Sequence, residues 1–162
     1  MYLSREVGKS LTTFTSLHFP FAIKHKTSFP YEVTLGVGGN IGDVRRRFER
    51  LFFFFKRERR VELVKTSLIL KNPPFGYMNQ DDFFNSIIVL KTAMQPKEFL
   101  KYIHRVEKKF GRQRSFANAP RTLDLDILFF DNRQIDTEEL TIPHAAWSKR
   151  ESVVIPLAGV KK

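Results

Sequence analysis

Two aspartates one residue apart carry the clearest chemical signal in this chain, in the run Arg121-Thr122-Leu123-Asp124-Leu125-Asp126-Ile127-Leu128. Apolar residues alternate with them, as in a strand with one face in a core. Side chains two apart on a strand point to the same side, with their Cα atoms about 6.5–7 Å apart. Paired carboxylates repel each other, and a divalent cation relieves that repulsion; hard oxygen ligands favour Mg²⁺. Such a pair can hold two ions about 3.5–4 Å apart and bridge phosphate oxygens. A solvated face bearing two acids has the same spacing. Arg121 at the same edge favours the metal reading, because it adds a phosphate donor.

Cations flank this strand: Arg112, Arg114 and Arg121 before it, His144, Lys149 and Arg150 after it. Arginine grips phosphate through two parallel bonds, so several around a metal pair would hold a triphosphate chain. Taken singly, each is equally a basic surface residue. A glycine-rich run, Gly36-Val37-Gly38-Gly39-Asn40-Ile41-Gly42, lacks the spacing of a dinucleotide fingerprint and the lysine of a P-loop, and reads as a strand-to-helix corner. Asn72-Pro73-Pro74-Phe75-Gly76 forms a stiff loop ahead of Phe83-Phe84-Asn85. Phe83 and Asn85 share a strand face, where a flat heterocycle could stack on the ring while the amide reads its edge. A core phenylalanine beside a turn asparagine is the alternative.

The elements that must position these residues follow from periodicity. Alternation over Val33, Leu35 and Val37 predicts a strand. Val44, Phe48, Leu51, Phe52 and Phe55 predict one apolar face of a helix after the glycine corner. Residues 61–70 read as a strand, 71–82 as a loop and 83–92 as a second clear strand. Pro96 opens a helix whose buried stripe is Phe99, Leu100, Ile103, Val106 and Phe110, and Gly111 stops it. Residues 112–120 form a polar loop expected to act as a mobile lid. A strand follows over 122–130, with Leu123, Leu125, Ile127 and Phe129 on its core face, and a further short strand is expected near 152–156. The order is βαββαβ, an α+β class and the arrangement of a ferredoxin-like sandwich: one antiparallel sheet with helices on one face. Residues 1–30 show no period and read as an N-terminal extension that packs irregularly, leaving 31–162 as the functional domain.

Composition bounds the rest. The chain has 162 residues with 42% hydrophobic content, enough for one domain with a real core. There is no cysteine, so disulfides and thiolate metal sites are excluded, and a cytoplasmic setting fits. The net charge of +11 attracts polyanions: nucleic acid, acidic lipid or a nucleotide triphosphate. The Phe-rich stretch at 52–55 is too short to span a bilayer, and Glu6, Lys9, Lys24 and Lys26 interrupt any signal-peptide pattern.

Taken together, four motifs in order resemble the 6-hydroxymethyl-7,8-dihydropterin pyrophosphokinase family of the folate pathway. They are LGVGGNIGD from Leu35, NPPFGYMNQDDFFNSIIVLKT from Asn72, PRTLDLDILFF from Pro120 and TIPHAAWSKRESVVIPLAGV from Thr141. The resemblance covers the chain from about Tyr31 to Val160 and implies a ferredoxin-like fold. It implies that Asp124 and Asp126 hold two Mg²⁺ ions on ATP. It implies that Arg112 and Arg121 stabilise the transition state, and that His104, Glu107, Arg114, Ile127, Thr141, His144 and Arg150 contact the nucleotide. Asn72, Pro73, Pro74, Phe75, Phe83 and Asn85 would line the pterin pocket. The pterin hydroxyl would attack the β-phosphorus in line, and AMP would leave, with no strong protein base.

The chain departs from the family pattern in places. Ala117-Asn118-Ala119-Pro120 stands where the family has Arg-Trp-Gly-Pro, and the loop is one residue shorter. Phe116 is the candidate to replace that Trp. Ser152 stands where a Phe stacks on the second pterin face, so either Trp147 moves in or the pterin is held more loosely. Glu139 stands where some members have Arg. The competing reading is a ferredoxin-like RNA-binding module using the basic surface, but no RNP-type aromatic run is present and the acid pair would repel phosphate without metal. Membrane attachment through the helix at 44–55 is disfavoured by a stripe of core width. The expected partners are therefore ATP and a hydroxymethyl dihydropterin, with no nucleic acid and no membrane, acting on a monomer.

Overall fold

The computed structural model describes residues 3–8, 10–74, 76–112 and 116–160. Its elements in chain order are β1 (Leu3–Gly8), β2 (Leu11–Thr15), β3 (Phe21–Ala22), β4 (Tyr31–Gly39), α1 (Val44–Arg57), β5 (Val61–Thr66), β6 (Ile69–Asn72) and β7 (Phe83–Thr92). Then follow α2 (Pro96–Lys109), β8 (Asp124–Phe130), β9 (Ile135–Asp136), β10 (Thr141–Ile142), a 3-10 turn at Trp147–Lys149 and α3 (Glu151–Val160). The protein is α+β, built on an antiparallel sheet in which β4 lies between β8 and β7. The far side of β7 is shared by β5 and β6.

The strand expected over 61–70 is thus two strands broken at Ser67–Leu68. Ser67 repairs the gap: its hydroxyl accepts from the Ile87 N–H at 2.8 Å and sits 3.0 Å from the Ser86 hydroxyl. A buried backbone donor left unpaired would be costly, so the side chain takes over where the ladder stops.

The helix α1 starts where the glycine corner predicts. The Asp43 side chain accepts from the Arg46 N–H, and Val44, Phe48, Leu51, Phe52 and Phe55 are buried. Pro96 opens α2, which buries Phe99, Tyr102, Ile103, Val106 and Glu107. Leu100 and Phe110, expected in that stripe, lie only partly buried at its margin. Both helices pack on one face of the sheet, over Leu35, Ile88, Leu90, Leu125 and Phe130.

Three expectations are corrected. The N-terminal segment is not irregular throughout: β1 and β2 form a hairpin, β2 pairs with β6, and β3 pairs with β5. Their Ser/Thr-rich strands are too short and too polar on one side to show a period, and the exposed sheet edge orders them. Second, 152–156 is not a strand but the first half of α3. Its branched residues favour β structure, yet Leu157 and Val160 gain burial against Ile87, Val89 and Leu128. Each such burial contributes roughly 1.5–3 kcal/mol, enough together to offset the ~3 kcal/mol of Pro156 inside the helix. Because α3 lies on the face opposite α1 and α2, helices cover both faces rather than one. Third, Phe129 leaves the predicted core face and packs edge-on against Trp147 with ring centroids 5.1 Å apart. The ladder slips between Thr34 and Leu35, so Leu128 is an extra residue that turns the strand's alternation over.

α3 covers only one end of its sheet face. At the other end Gly36, Gly38, Asn85, Asp124 and Asp126 face open space, and that uncovered end is where the candidate residues collect.

Candidate active site

Asp124 and Asp126 stand on β8 opposite Gly38 and Gly36 of β4, both on the face away from α1 and α2. With glycine opposite, no side chain fills the space in front of the acids. A Cβ on Gly38 would lie 2.7 Å from Asn85 Oδ1, so β4 and β7 need glycine there to bring Asn85 beside Asp124.

Helix α2 delivers the next pieces. Gly111 adopts φ +88° just past the helix. Its N–H donates to the Lys108 carbonyl at 3.0 Å and the Arg112 N–H to the Glu107 carbonyl at 3.1 Å, the double bond pattern of a Schellman stop. That turn points Arg112 back at the strand, where its Nη1 meets Glu107 Oε2 at 2.8 Å and also Asp124 Oδ1. Glu107 is 3% exposed and also accepts the Leu125 N–H at 2.8 Å, so it fastens α2 to β8. The Arg112 Nε is buried and has no hydrogen-bond partner among the described residues. An orphaned guanidinium donor beside two acids suits an incoming anionic oxygen.

Arg121 is placed by the glycine corner. The Asn40 side chain accepts the Arg121 N–H at 2.9 Å, while the Asn40 N–H donates to the Arg121 carbonyl at 2.9 Å. Arg121 Nη1 then reaches Asp124 Oδ2 at 2.9 Å, and its guanidinium lies 5.7 Å from the centre of the Phe83 ring. Asn40 also donates to the Gln80 side chain and to the Asp81 carbonyl, both at 2.9 Å, so one buried amide ties β4, the 73–82 loop and Arg121 together. Sequence reasoning took this run for a corner and overlooked Asn40; a buried asparagine inside a glycine run is the signal that was available.

The electrostatics follow from this crowding. Burial, then the Asp124 charge, then Glu107 push the Asp126 carboxyl up to about 7, with Arg150 and Arg121 opposing. Burial and the nearby Arg150 lower the His144 imidazole, against a smaller pull from Asp124. For Arg112, burial works against the charged form, but Asp124 and Glu107 outweigh it and raise its pKa.

Two cavities meet at the acid pair. One, of about 390 Å³, is lined by Asn72, Pro73, Pro74, Phe83, Asn85 and Arg121 on one side and by Lys149, Arg150, Ser152 and Val153 on the other. The second, of about 370 Å³, is lined by His104, Glu107, Arg112, Ile127, Glu139, Thr141 and His144. Asp124, Asp126 and His144 belong to both. The structure therefore brings the expected pterin residues to one chamber and most of the expected nucleotide residues to the other. Phe75 and Arg114 lie outside the described residues.

Within the first chamber the Asn85 amide donates to Asn72 Oδ1 at 2.6 Å, which commits one of its two amide hydrogens. Trp147 does not move in to replace a second stacking ring; it is held against Phe129. Phe116 packs edge-on against Tyr77, with centroids 5.1 Å apart, and Gln80 donates to the Asn118 carbonyl at 2.8 Å. The 116–120 segment is thus docked on the 76–80 loop. Asn118 and Leu11 also line the first cavity, and neither was legible as a site residue.

The donor set fits Mg²⁺. Two carboxylates on one strand face, one of them held toward its protonated form by its neighbours, gain most from a cation. No cluster of three or more His, Cys, Asp or Glu capable of holding a metal occurs among the described residues.

Residues 34–162 match the family described as 7,8-dihydro-6-hydroxymethylpterin-pyrophosphokinase. A 2-amino-4-hydroxy-6-hydroxymethyldihydropteridine pyrophosphokinase from Helicobacter pylori is 39% identical over 89% of this chain and 90% of its own length. One from Campylobacter jejuni is 37% identical over 90% of this chain and 92% of its own length. One from Bacillus subtilis is 35% identical over 78% of this chain and 75% of its own. The chain belongs to the 7,8-dihydro-6-hydroxymethylpterin-pyrophosphokinase family.

Proposed function

We propose that this enzyme transfers the diphosphate of ATP to the hydroxymethyl group of 6-hydroxymethyl-7,8-dihydropterin, releasing AMP, as a step of folate biosynthesis. The observation that carries the reading is the meeting of two chambers at Asp124 and Asp126. The nucleotide takes the chamber of His104, Glu107, Ile127, Thr141 and His144. The pterin takes the chamber of Asn72, Pro73, Pro74, Phe83 and Asn85. Its ring stacks on Phe83 and its edge meets the amide of Asn85. Strands β4, β5 with β6, β7 and β8, with α1 and α2, form the ferredoxin-like βαββαβ core within residues 31–162. Residues 1–30 are an addition to it.

The hydroxyl oxygen of the pterin attacks the β-phosphorus and releases its proton to solvent, the bond from that phosphorus to the α–β bridging oxygen breaks, and AMP leaves with that oxygen. Asp124 and Asp126 would hold two Mg²⁺ ions, which when bound would offset phosphate charge and align the reacting oxygens. Arg112 and Arg121, which meet Asp124, pass to phosphate oxygens when the nucleotide binds. Arg114 and Arg150 add phosphate contacts. Positioning and charge neutralisation carry the catalysis, without a strong protein base. The enzyme acts as a monomer in the cytoplasm on small molecules, without nucleic acid or membrane. No helix among the described residues is long and apolar enough to cross a membrane.

The test is AMP release from ATP and Mg²⁺, with and without the pterin, for wild type and for Asp124→Ala/Asp126→Ala. Pterin-dependent AMP that vanishes in the double variant is the expected result. Well-folded wild type that releases no pterin-dependent AMP would reject the reading.

A further inference from the structure

We propose that Leu11, carried by the N-terminal hairpin, is a wall of the pterin chamber and sets the affinity for pterin. The proposal rests on the assignment of that chamber to pterin. Residue 11 lies ahead of the segment matched by the family model, residues 34–162.

The sheet register brings Leu11 to the site. Thr13 pairs with Leu70 and Thr12 with Lys71, so the next step along the ladder sets Leu11 beside Asn72. Asn72 in turn pairs with Phe83. Leu11, Asn72 and Phe83 therefore form one row across three strands, and all three line the same cavity. Residues directly across a ladder share a face, so Leu11 faces the side on which Phe83 offers its ring.

The turn between β1 and β2 holds the side chain there. Gly8 pairs with Leu11, and Ser10 takes φ 64°. A Cβ on Gly8 would lie 3.5 Å from Leu11 Cδ1, an ordinary contact, so the leucine sits directly under the hairpin backbone. Leu11, on the inner strand β2, is 8% exposed, although the outer strand β1 is open to solvent. A flat heterocycle has two faces and an apolar edge to cover. Ser152 and Val153 give little surface on the chamber's other side, and Trp147 is held by Phe129. A branched aliphatic side chain beside Phe83 supplies part of what is missing.

The experiment titrates 6-hydroxymethylpterin, followed by its fluorescence, in the presence of Mg²⁺ and α,β-methylene-ATP. The proteins are full-length wild type, Leu11→Ala, Leu11→Met and Leu3→Ala, the last on the exposed strand of the same hairpin. Leu11→Ala is expected to weaken pterin binding about fivefold to twentyfold and raise the pterin KM with kcat within about twofold. Leu11→Met and Leu3→Ala stay within about twofold of wild type, and nucleotide affinity is unchanged throughout. Pterin affinity of Leu11→Ala within twofold of wild type, at intact nucleotide binding, overturns the proposal. If Leu11→Ala loses nucleotide binding as well, Leu11→Phe decides. Its ring projects into the chamber and is expected to shift pterin Kd by more than about threefold at constant nucleotide Kd. An unchanged pterin Kd, or loss of nucleotide binding in both variants, overturns the proposal in favour of a purely structural leucine. Wild type that binds nucleotide but no pterin rejects the pterin assignment itself, an outcome separate from any difference among the variants.

Discussion

Asp126 shows how one residue can weaken the fold and still be required. Its folded pKa, about 7, lies above that of an unfolded aspartate. The folded state therefore holds the proton more tightly, and stability contributed by the protonated form is lost as pH rises from about 4 through 7. Metal-free wild type should melt at a lower temperature at pH 8 than at pH 5. Asp126→Asn should flatten that slope, raise the melting temperature at pH 8 by several degrees and abolish diphosphate transfer. Thermal melts in EDTA at the two pH values check this, and a variant less stable than wild type at pH 8 would contradict it. Arg121 lies on the same Asp124 carboxylate but aims at the junction of the chambers. Arg121→Ala is expected to lower turnover about 100-fold or more while ATP affinity changes only a few-fold. A large rise in ATP Kd at nearly unchanged turnover would sink that assignment.

At the scale of elements, the site depends on how a helix ends and how two strands approach. Gly111 has open space around its missing Cβ, so Gly111→Ala meets no clash and only the left-handed conformation opposes it. A loss of about 1 kcal/mol in urea unfolding is expected. Turnover should fall further than that small loss explains, because the same turn aims Arg112 at Glu107 and Asp124. Gly38→Ala acts differently: the added carbon would meet Asn85 Oδ1 at 2.7 Å and push the amide aside. The pterin KM should rise about tenfold or more with ATP KM little changed, measured by AMP release at saturating nucleotide.

On the scale of the whole molecule, the two faces of the sheet have different duties. One is sealed by α1 and α2 over the main core; the other is covered by α3 at one end and left open at the other. The acids and arginines at the open end carry opposing charges that a metal–nucleotide complex rebalances. Mg²⁺ with α,β-methylene-ATP at about 100 times its Kd should stabilise the fold by about 2.7 kcal/mol, a rise of roughly 5–10 °C in Tm. Removing Mg²⁺ with EDTA should abolish most of that rise.

Much of this was legible in the sequence because it is local. The α1 stripe, the Pro96 start and Gly111 stop of α2, and the alternation that places Asp124 and Asp126 on one face all follow from spacings within a few residues. The same locality made the motifs that line the two chambers readable as motifs. What the sequence left undetermined depends on partners distant in the chain. The strand can break at Ser67 because its hydroxyl accepts the Ile87 N–H and meets the Ser86 hydroxyl. The segment 151–160 is helical because the sheet offers Ile87, Val89 and Leu128 as a floor, against the preference of its own branched residues. Leu128 turns the strand over, sending Phe129 to Trp147, because the ladder with β4 slips by one residue. Leu11 enters the site only because β6 has an edge for β2 to join. Periodicity reports which face of an element is apolar, while register, edges and covering helices decide what that face meets.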